Sequence, residues 1–302
     1  MNMTEVCKTD FNFTLFLMGE KGYAVLSSII EGGWKDRIKL VVGARDKAVK
    51  TDYYSEIRDM SMTNGITWSD RTALMGVEST YALAISWRWL IPDGCARLIV
   101  IHDSLLPKYR GFAPLVNMLL HHEPEIGATA IWASDEYDCG DIIAQEKVGI
   151  SYPIKIKDAI EKITPVYCSI VKRIFSLLND GEELPSIPQN NREASYSLWR
   201  DKDDYRIDWN ASAEEVQQFI YAVGNPYLGA ATYMSDGREV RIFDAQPLPD
   251  VNIVNRDNGK VIFMDHGIPI IVCGKGLLKL TDVRAEDGES LLPLSRFRVR
   301  FM

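Results

Sequence analysis

Leu98-Ile99-Val100-Ile101-His102-Asp103-Ser104-Leu105-Leu106-Pro107-Lys108-Tyr109-Arg110-Gly111 starts as an apolar run and breaks off at a histidine, with a proline and a glycine downstream. An apolar run without alternation reads as a strand covered on both faces, the mark of a parallel sheet. A titratable group at the carboxyl end of such a strand stands where open α/β sheets hold ligands. His102 is therefore read as a chemical group rather than a satisfied core histidine.

The pattern repeats on both sides of this stretch. Residues 13–18 form another apolar run ending at Gly19, residues 23–30 carry helical spacing, and residues 38–42 read as a second strand, so the chain opens with a β-α-β unit. Residues 81–86 and 97–101 give two more core strands, and residues 130–133 and 142–148 flank an acidic turn. Ile156, Ile160, Ile163, Ile170, Val171, Ile174 and Leu178 then predict one long helix over the sheet, with Thr164-Pro165 a kink or restart and Gly181 its stop. Gly19-Glu20-Lys21-Gly22 lacks the full dinucleotide-binding fingerprint and reads as two turn glycines, which argues against a nicotinamide cofactor. The expected fold class is α/β: a Rossmann-like domain with a parallel-rich central sheet over residues 1–182.

Between Gly181 and Asn191 the composition turns to Glu, Pro, Ser, Gln and Asn, so residues 183–193 read as a linker. Residues 194–302 are expected to form a smaller, mostly β domain with an OB-like barrel and one helix. That helix is announced by a Ser212/Glu215 capping box and an apolar stripe of Val216, Phe219, Ile220 and Val223. Asp236-Gly237, Asn258-Gly259 and Asp287-Gly288 separate strand-like runs.

The bulk properties exclude several functions. A net charge of −8 opposes a phosphate backbone at long range and argues against a nucleic-acid partner. Cysteines at positions 7, 95, 139, 168 and 273 show no C-x-x-C pair, so neither a disulfide framework nor a cysteine zinc site is expected, and a reducing compartment fits. Residues 1–10 lack a basic start and an apolar run, and no stretch has the length of a membrane span. A cytoplasmic protein free of membrane association is expected. His121, His122 and His266 lack metal-ligand spacing and read as structural.

The second chemical feature is Asp135-Glu136-Tyr137-Asp138-Cys139-Gly140-Asp141, in which Glu136 reads as solvated and Asp138 as a partner able to orient an imidazole. With His102 to Gly111 this turn resembles the 10-formyltetrahydrofolate-dependent formyltransferase family, marked by a histidine in H-x-S-L-L-P-x-x-x-G and an aspartate in D-x-G. The resemblance resumes at Tyr205-Arg-Ile-Asp-Trp-Asn-Ala-Ser-Ala-Glu-Glu215 and Gly224-Asn-Pro-Tyr-Leu-Gly-Ala230, which look like the carboxy-terminal domain of methionyl-tRNA and amino-sugar formyltransferases. It implies direct transfer of a formyl group from the co-substrate 10-formyltetrahydrofolate to an amine, with His102 and Asp138 catalytic and no metal. It places the folate along Ser86, Trp87, Arg88, Leu90 and Ile91 and along Asp135, Glu136 and Tyr137, with Arg88 in reach of the glutamate tail.

One departure stands out. Val100 and Asp103 occupy positions where the family has asparagine and proline, and losing one oxyanion donor costs on the order of a hundred- to thousandfold in rate unless something replaces it. Ser86 and Ser104 are the nearby hydroxyls. The acidic balance favours the nucleotide-amino-sugar branch, related also to peptide-synthetase formylation domains. The best guess there is a UDP-linked N-acetylated aminodideoxyhexose of a surface-glycan pathway, pseudaminic-type or O-antigen. Ser104, Lys108, Arg110 and Gly111 are the expected substrate contacts, Lys108 and Arg110 meeting the diphosphate. Tyr196 and Trp199 either stack on the base or seal the domain interface. A homodimer is the candidate assembly. The alternatives are a methionyl-tRNA formyltransferase, or a catalytically weak folate or nucleotide-sugar binding homologue because of Val100.

Overall fold

The computed structural model describes residues 11–47, 49, 51–91 and 97–302; the readings made on residues 1–10 and on Cys95 lie outside them. A seven-stranded sheet forms the amino-terminal half, in the order β3-β2-β1-β4-β5-β7-β8. Its strands are β1 (Phe13–Leu17), β2 (Ile38–Gly43), β3 (Trp68–Asp70), β4 (Tyr81–Ile85), β5 (Arg97–His102), β7 (Glu125–Trp132) and β8 (Ile142–Gly149). The first five run parallel, and β7 and β8 add an antiparallel edge. The expected parallel-rich Rossmann-like sheet is thus present, and β1 and β4, buried at every position, explain the unalternating sequence runs.

The two faces of this sheet differ. Helices α1 (Gly19–Glu31), α2 (Tyr54–Thr63), α3 (Pro114–Leu120) and α4 (Ile156–Asn179) all feed the larger core, with Val25, Leu26, Ile57, Leu119, Ile163 and Ile174 among its buried members. The opposite face carries a small cluster of Phe16, Val42, Val77, Ala82 and Ala84, roofed by Leu74, Trp87 and Ile91, with no α-helix contributing among the described residues. Val100 packs in this second cluster. Successive strand residues alternate faces, so His102 emerges on the thinly covered side with Val100.

Helix α4 is continuous. Pro165 removes one backbone donor, and the neighbouring Thr164 hydroxyl donates to the Ile160 carbonyl at 2.7 Å, which occupies an acceptor on the turn the proline disturbs. The sequence had offered a kink or restart there; burial of the whole apolar stripe against the sheet holds one helix instead.

The carboxy-terminal half contains α5 (Ala213–Ala222), started by the expected reciprocal Ser212/Glu215 capping box. Five antiparallel strands follow in the order β10-β11-β14-β13-β12: β10 (Ala230–Tyr233), β11 (Glu239–Leu248), β12 (Val261–Asp265), β13 (Ile268–Val272) and β14 (Leu277–Ala285). The last residues close this sheet into a barrel. Tyr233 and Met302 exchange backbone hydrogen bonds of 3.0 and 2.7 Å, and Phe301 donates to the Gly259 carbonyl at 2.8 Å. Of the three anticipated turns, Asp236-Gly237 joins two strands as a hairpin. Asn258-Gly259 instead receives the chain terminus, and the β13–β14 turn is made at Gly274–Gly276, which the sequence reading did not single out.

The segment taken as a linker is packed, not free. Ile187 bridges Ile142 on β8, Leu184 is buried, and the Trp132 indole donates to the Pro185 carbonyl at 3.0 Å. A short parallel pair, β6 (Arg110–Gly111) with β9 (Tyr196–Ser197), then stitches the loop after His102 to the start of the second half. The buried Gln218 amide of α5 binds both the N–H and the carbonyl of Ile154, at 3.2 and 3.1 Å. Among the described residues no helix is long and apolar enough to cross a membrane.

Candidate functional site

His102 lies at the carboxyl end of β5, 8% exposed, with both ring nitrogens facing oxygen. Nε2 is 2.8 Å from the Tyr109 carbonyl, and Nδ1 is 3.5 Å from Asp138 Oδ1. A carbonyl only accepts, so the network assigns the Nε2 proton to that bond and leaves Nδ1, beside Asp138, as the atom able to take another. The other carboxylate oxygen of Asp138 accepts the Gly111 N–H at 2.8 Å. One carboxylate thereby ties the acidic turn to the ring and to the loop after it.

Neighbouring residues hold this geometry. Thr129 on β7 accepts the Leu106 N–H at 3.1 Å and donates to the Ser104 carbonyl at 2.6 Å, while Gln145 on β8 donates to the Leu106 carbonyl at 2.9 Å. The loop is pinned to the antiparallel edge on both sides of its turn. Gln189 donates to the carbonyls of Asp138 and Gly140 at 2.7 and 2.8 Å and accepts from Arg110 at 2.7 Å. Gly140 admits no side chain: a Cβ there would lie 1.7 Å from the Trp132 carbonyl. Ser86, Tyr109 and Asp138, three residues of the site, adopt left-handed backbone angles of 54°, 58° and 54°. Such conformations are costly for residues with a Cβ and gather at functional sites.

Next to the histidine, Asp103 forms a network on the helix-covered side. Its carboxylate pairs with the Lys21 ammonium and accepts the Tyr167 hydroxyl at 2.6 Å. Burial pushes the Asp103 carboxyl upward, but the Lys21 charge and the hydrogen bonds from Lys21 and Tyr167 overcome it and hold the group below the usual aspartate range. Burial and the Asp103 charge push the Tyr167 phenol up.

Two of the expected contacts are corrected by burial. Arg110 is 2% exposed and its guanidinium is spent on Gln189, Asn191 and the Tyr196 hydroxyl, so it holds the linker and is turned away from a diphosphate. Ser104 is fully buried, and its hydroxyl donates to the Lys108 carbonyl at 2.7 Å, which removes it as an oxyanion donor or substrate contact. Arg88 pairs with Asp46 at 2.7 Å, so its reach toward a glutamate tail would require leaving that partner. Trp87 and Ile91 pack on the second cluster near Val100, whereas Leu90 is 96% exposed. Asp135, Glu136 and Lys108 are exposed. Tyr137 and Phe112 are exposed rings 6.0 Å apart. Tyr196 and Trp199 are also exposed; the Tyr196 hydroxyl accepts from Arg110 at 3.5 Å, and β9 pairs through its backbone and buries Ser197.

An open cavity of about 500 Å³ runs beside the acidic turn, lined by Leu98, Trp132, Ser134, Cys139, Gly140 and Asp141 among others. Among the described residues no cluster of His, Cys, Asp and Glu could hold a metal ion. Thr129, Gln145, Gln189, Lys21 and Tyr167 were missed from sequence. Thr129, a polar residue in an apolar strand, was the one legible signal.

Family models for "formyl transferase" match residues 81–165 and for "formyl transferase, C-terminal domain" match residues 200–297, together more than half of the chain. The chain belongs to the formyl transferase family. Within this family, a methionyl-tRNA formyltransferase of Carboxydothermus hydrogenoformans is 31% identical over 66% of the chain, a match spanning 62% of that relative's own length. One from Lachnospira eligens is 27% identical over 89% of the chain and 91% of the relative. Among solved structures, a sugar 3N-formyl transferase, WlaRD, captured with dTDP and 5-N-formyl-THF, superposes with a TM-score of 0.63 at 18% identity, covering 89% of this chain and 97% of that one. An N-formyltransferase of Helicobacter canadensis, in complex with folinic acid and dTDP-3-aminofucose, gives 0.61 at 15% identity over 89% and 98% of the two chains. At these identities the likeness is one of fold.

Proposed function

We propose that this formyl transferase family member moves a formyl group from 10-formyltetrahydrofolate to the amine of a nucleotide-linked amino sugar. The observation that carries the reading is the His102 ring set between the Tyr109 carbonyl and the Asp138 carboxylate at the carboxyl end of β5. Acyl transfer to an amine needs a group that accepts the amine proton while the new bond forms. His102 Nδ1, paired with Asp138, supplies that acceptor, and the Gly111 N–H keeps the carboxylate oriented.

The residues present fit the folate. A buried donor on the neighbouring segment, Trp87 Nε1, has no partner among the described residues. Unsatisfied buried donors cost free energy that a hydrogen-bonding ligand would recover. The group supplies an activated one-carbon unit at the formyl oxidation level. Trp87 and Ile91 on one side and residues 135–138 on the other would hold it, with His102 and Asp138 toward the reacting carbon. Exposed Tyr137, Phe112, Tyr196 and Trp199 offer aromatic faces for a nucleotide base. Lys108 remains the exposed cation of the loop, within reach of a diphosphate.

A UDP-linked N-acetylated aminodideoxyhexose is the specific acceptor in this reading, with a homodimer as the assembly. A second reading is favoured by the relatives in the previous subsection, named methionyl-tRNA formyltransferases, and opposed by the net charge of −8. One experiment separates them. The protein is mixed with 10-formyltetrahydrofolate and, in turn, a panel of nucleotide amino sugars and methionyl-tRNA, and products are weighed by mass spectrometry. A formylated nucleotide sugar supports the proposal. Formylation of methionyl-tRNA alone establishes the second reading, and no formylated product refutes both.

A further inference from the structure

We propose that the Ser86 hydroxyl is the oxyanion donor of this site, a catalytic role that rests on the formyl-transfer reading above. The step to be served is explicit. The amine nitrogen bonds to the formyl carbon and the carbonyl π pair moves onto oxygen; that pair then reforms C=O as the bond to folate N10 breaks. N10 leaves with the bonding electrons and gains a proton, and the amine loses one. Between the two events the carbonyl oxygen carries a negative charge, and a preorganised donor at that position lowers the barrier.

The donors around His102 are otherwise committed. Its Nε2–H is given to Tyr109, the Ser104 hydroxyl to Lys108 and the Gly111 N–H to Asp138. Val100, on the same sheet face as the histidine, has nothing to donate. Ser86 differs from all of these. The β4/β5 register ends at Ile85 opposite Ile101, and Ser86 and His102 are the residues that directly follow these two partners. Its left-handed backbone, φ 54°, turns the chain out of the sheet so that Trp87 packs on Phe16, 5.0 Å between rings, over the Val100 face. Its Oγ is buried and has no hydrogen-bond partner among the described residues. A strained residue with an idle, desolvated hydroxyl next to the proton acceptor is what a preorganised donor requires.

The test is steady-state kinetics of the full chain with 10-formyltetrahydrofolate and whichever acceptor the panel identifies. Ser86→Ala should lower kcat on the order of a hundred- to thousandfold with KM for both substrates little changed, because the interaction exists only in the transition state. Ser86→Asn keeps a donor on a residue type that tolerates the left-handed backbone and should keep part of the rate. Ser86→Gly relieves the left-handed backbone and should still lose the rate, which a purely conformational role would not produce. Adding Val100→Asn to Ser86→Ala should restore at least part of kcat by bringing a carboxamide donor to the same face. If Ser86→Ala and Ser86→Gly fold, judged by their melting curves, and keep kcat within a few-fold of the wild type, the inference is wrong while formyl transfer stands. A wild-type chain that formylates no amine overturns the underlying reading, and this role with it.

Discussion

Replacing Lys21 by methionine removes one charge of the buried network that anchors the loop after β5. The lysine and Asp103 side chains are 11% and 22% exposed, and the abandoned carboxylate would keep only the Tyr167 hydroxyl. Breaking a fully buried pair costs about 3–5 kcal/mol, and the residual exposure here lets water repay part of it, so a loss of about 2 kcal/mol is expected. With a urea dependence of about 3 kcal/mol per molar, the unfolding midpoint should fall by about 0.7 M. The double variant Lys21→Met/Asp103→Leu removes both charges and should recover most of that loss, since an apolar pair leaves no orphan charge. The same pairing has a pH signature. The Asp103 carboxyl is held below its ordinary value in the folded chain, so on acidification the unfolded chain binds the proton first. Its stabilising contribution is complete above the unfolded aspartate value of about 4 and is lost as pH falls through the lower folded value. Wild type should therefore exceed Asp103→Asn in midpoint at neutral pH, and the gap should close in acid. A Lys21→Met midpoint within about 0.1 M of wild type, or a double variant no better than the single, would refute this account of the network.

Two further outcomes follow from the architecture of the acidic turn. Gly140→Ala puts a methyl group 1.7 Å from the Trp132 carbonyl and should destabilise the chain by about 3 kcal/mol or more, whereas Gly149→Ala, with nothing within 4 Å, should leave the melting temperature unchanged. Gln189→Ala strips partners from Arg110 and from the Asp138 and Gly140 carbonyls together; it should lower stability by about 2 kcal/mol in urea and reduce formyl-transfer kcat, with equal kcat in the variant contradicting a role for the linker in positioning Asp138.

The main outline was legible because it rests on patterns that burial imposes. Largely apolar runs marked β1, β4 and β5, and the buried isoleucines, valines and leucines of α4 kept helical spacing across a proline. His102 could be seen because it interrupts such a run, and Asp138 because an acidic turn with a glycine stands between two strands. What escaped is what depends on contacts distant in sequence. The proline- and glutamine-rich composition of residues 181–191 gives no hint that Gln189 braces the catalytic turn from the far side. Arg110 looked like a loop cation placed to meet a diphosphate, yet its guanidinium is satisfied by Gln189, Asn191 and Tyr196, about eighty residues away, and is buried for that reason. Lys21 looked like part of an incidental glycine turn, and only the fold brings it to Asp103. The closing of the barrel by residues 299–302 was equally invisible, since no local pattern says which strand edge a chain terminus will cover.

The most direct measurement of the central claim is a double-mutant cycle on His102 and Asp138, read as single-turnover formyl transfer from 10-formyltetrahydrofolate. Groups acting as one proton-accepting unit are strongly non-additive. His102→Ala and Asp138→Asn should each slow the step on the order of a hundredfold or more, and the double variant should be little slower than the worse single. Losses that multiply, or a single variant retaining the wild-type rate, would contradict the pairing on which the whole reading depends.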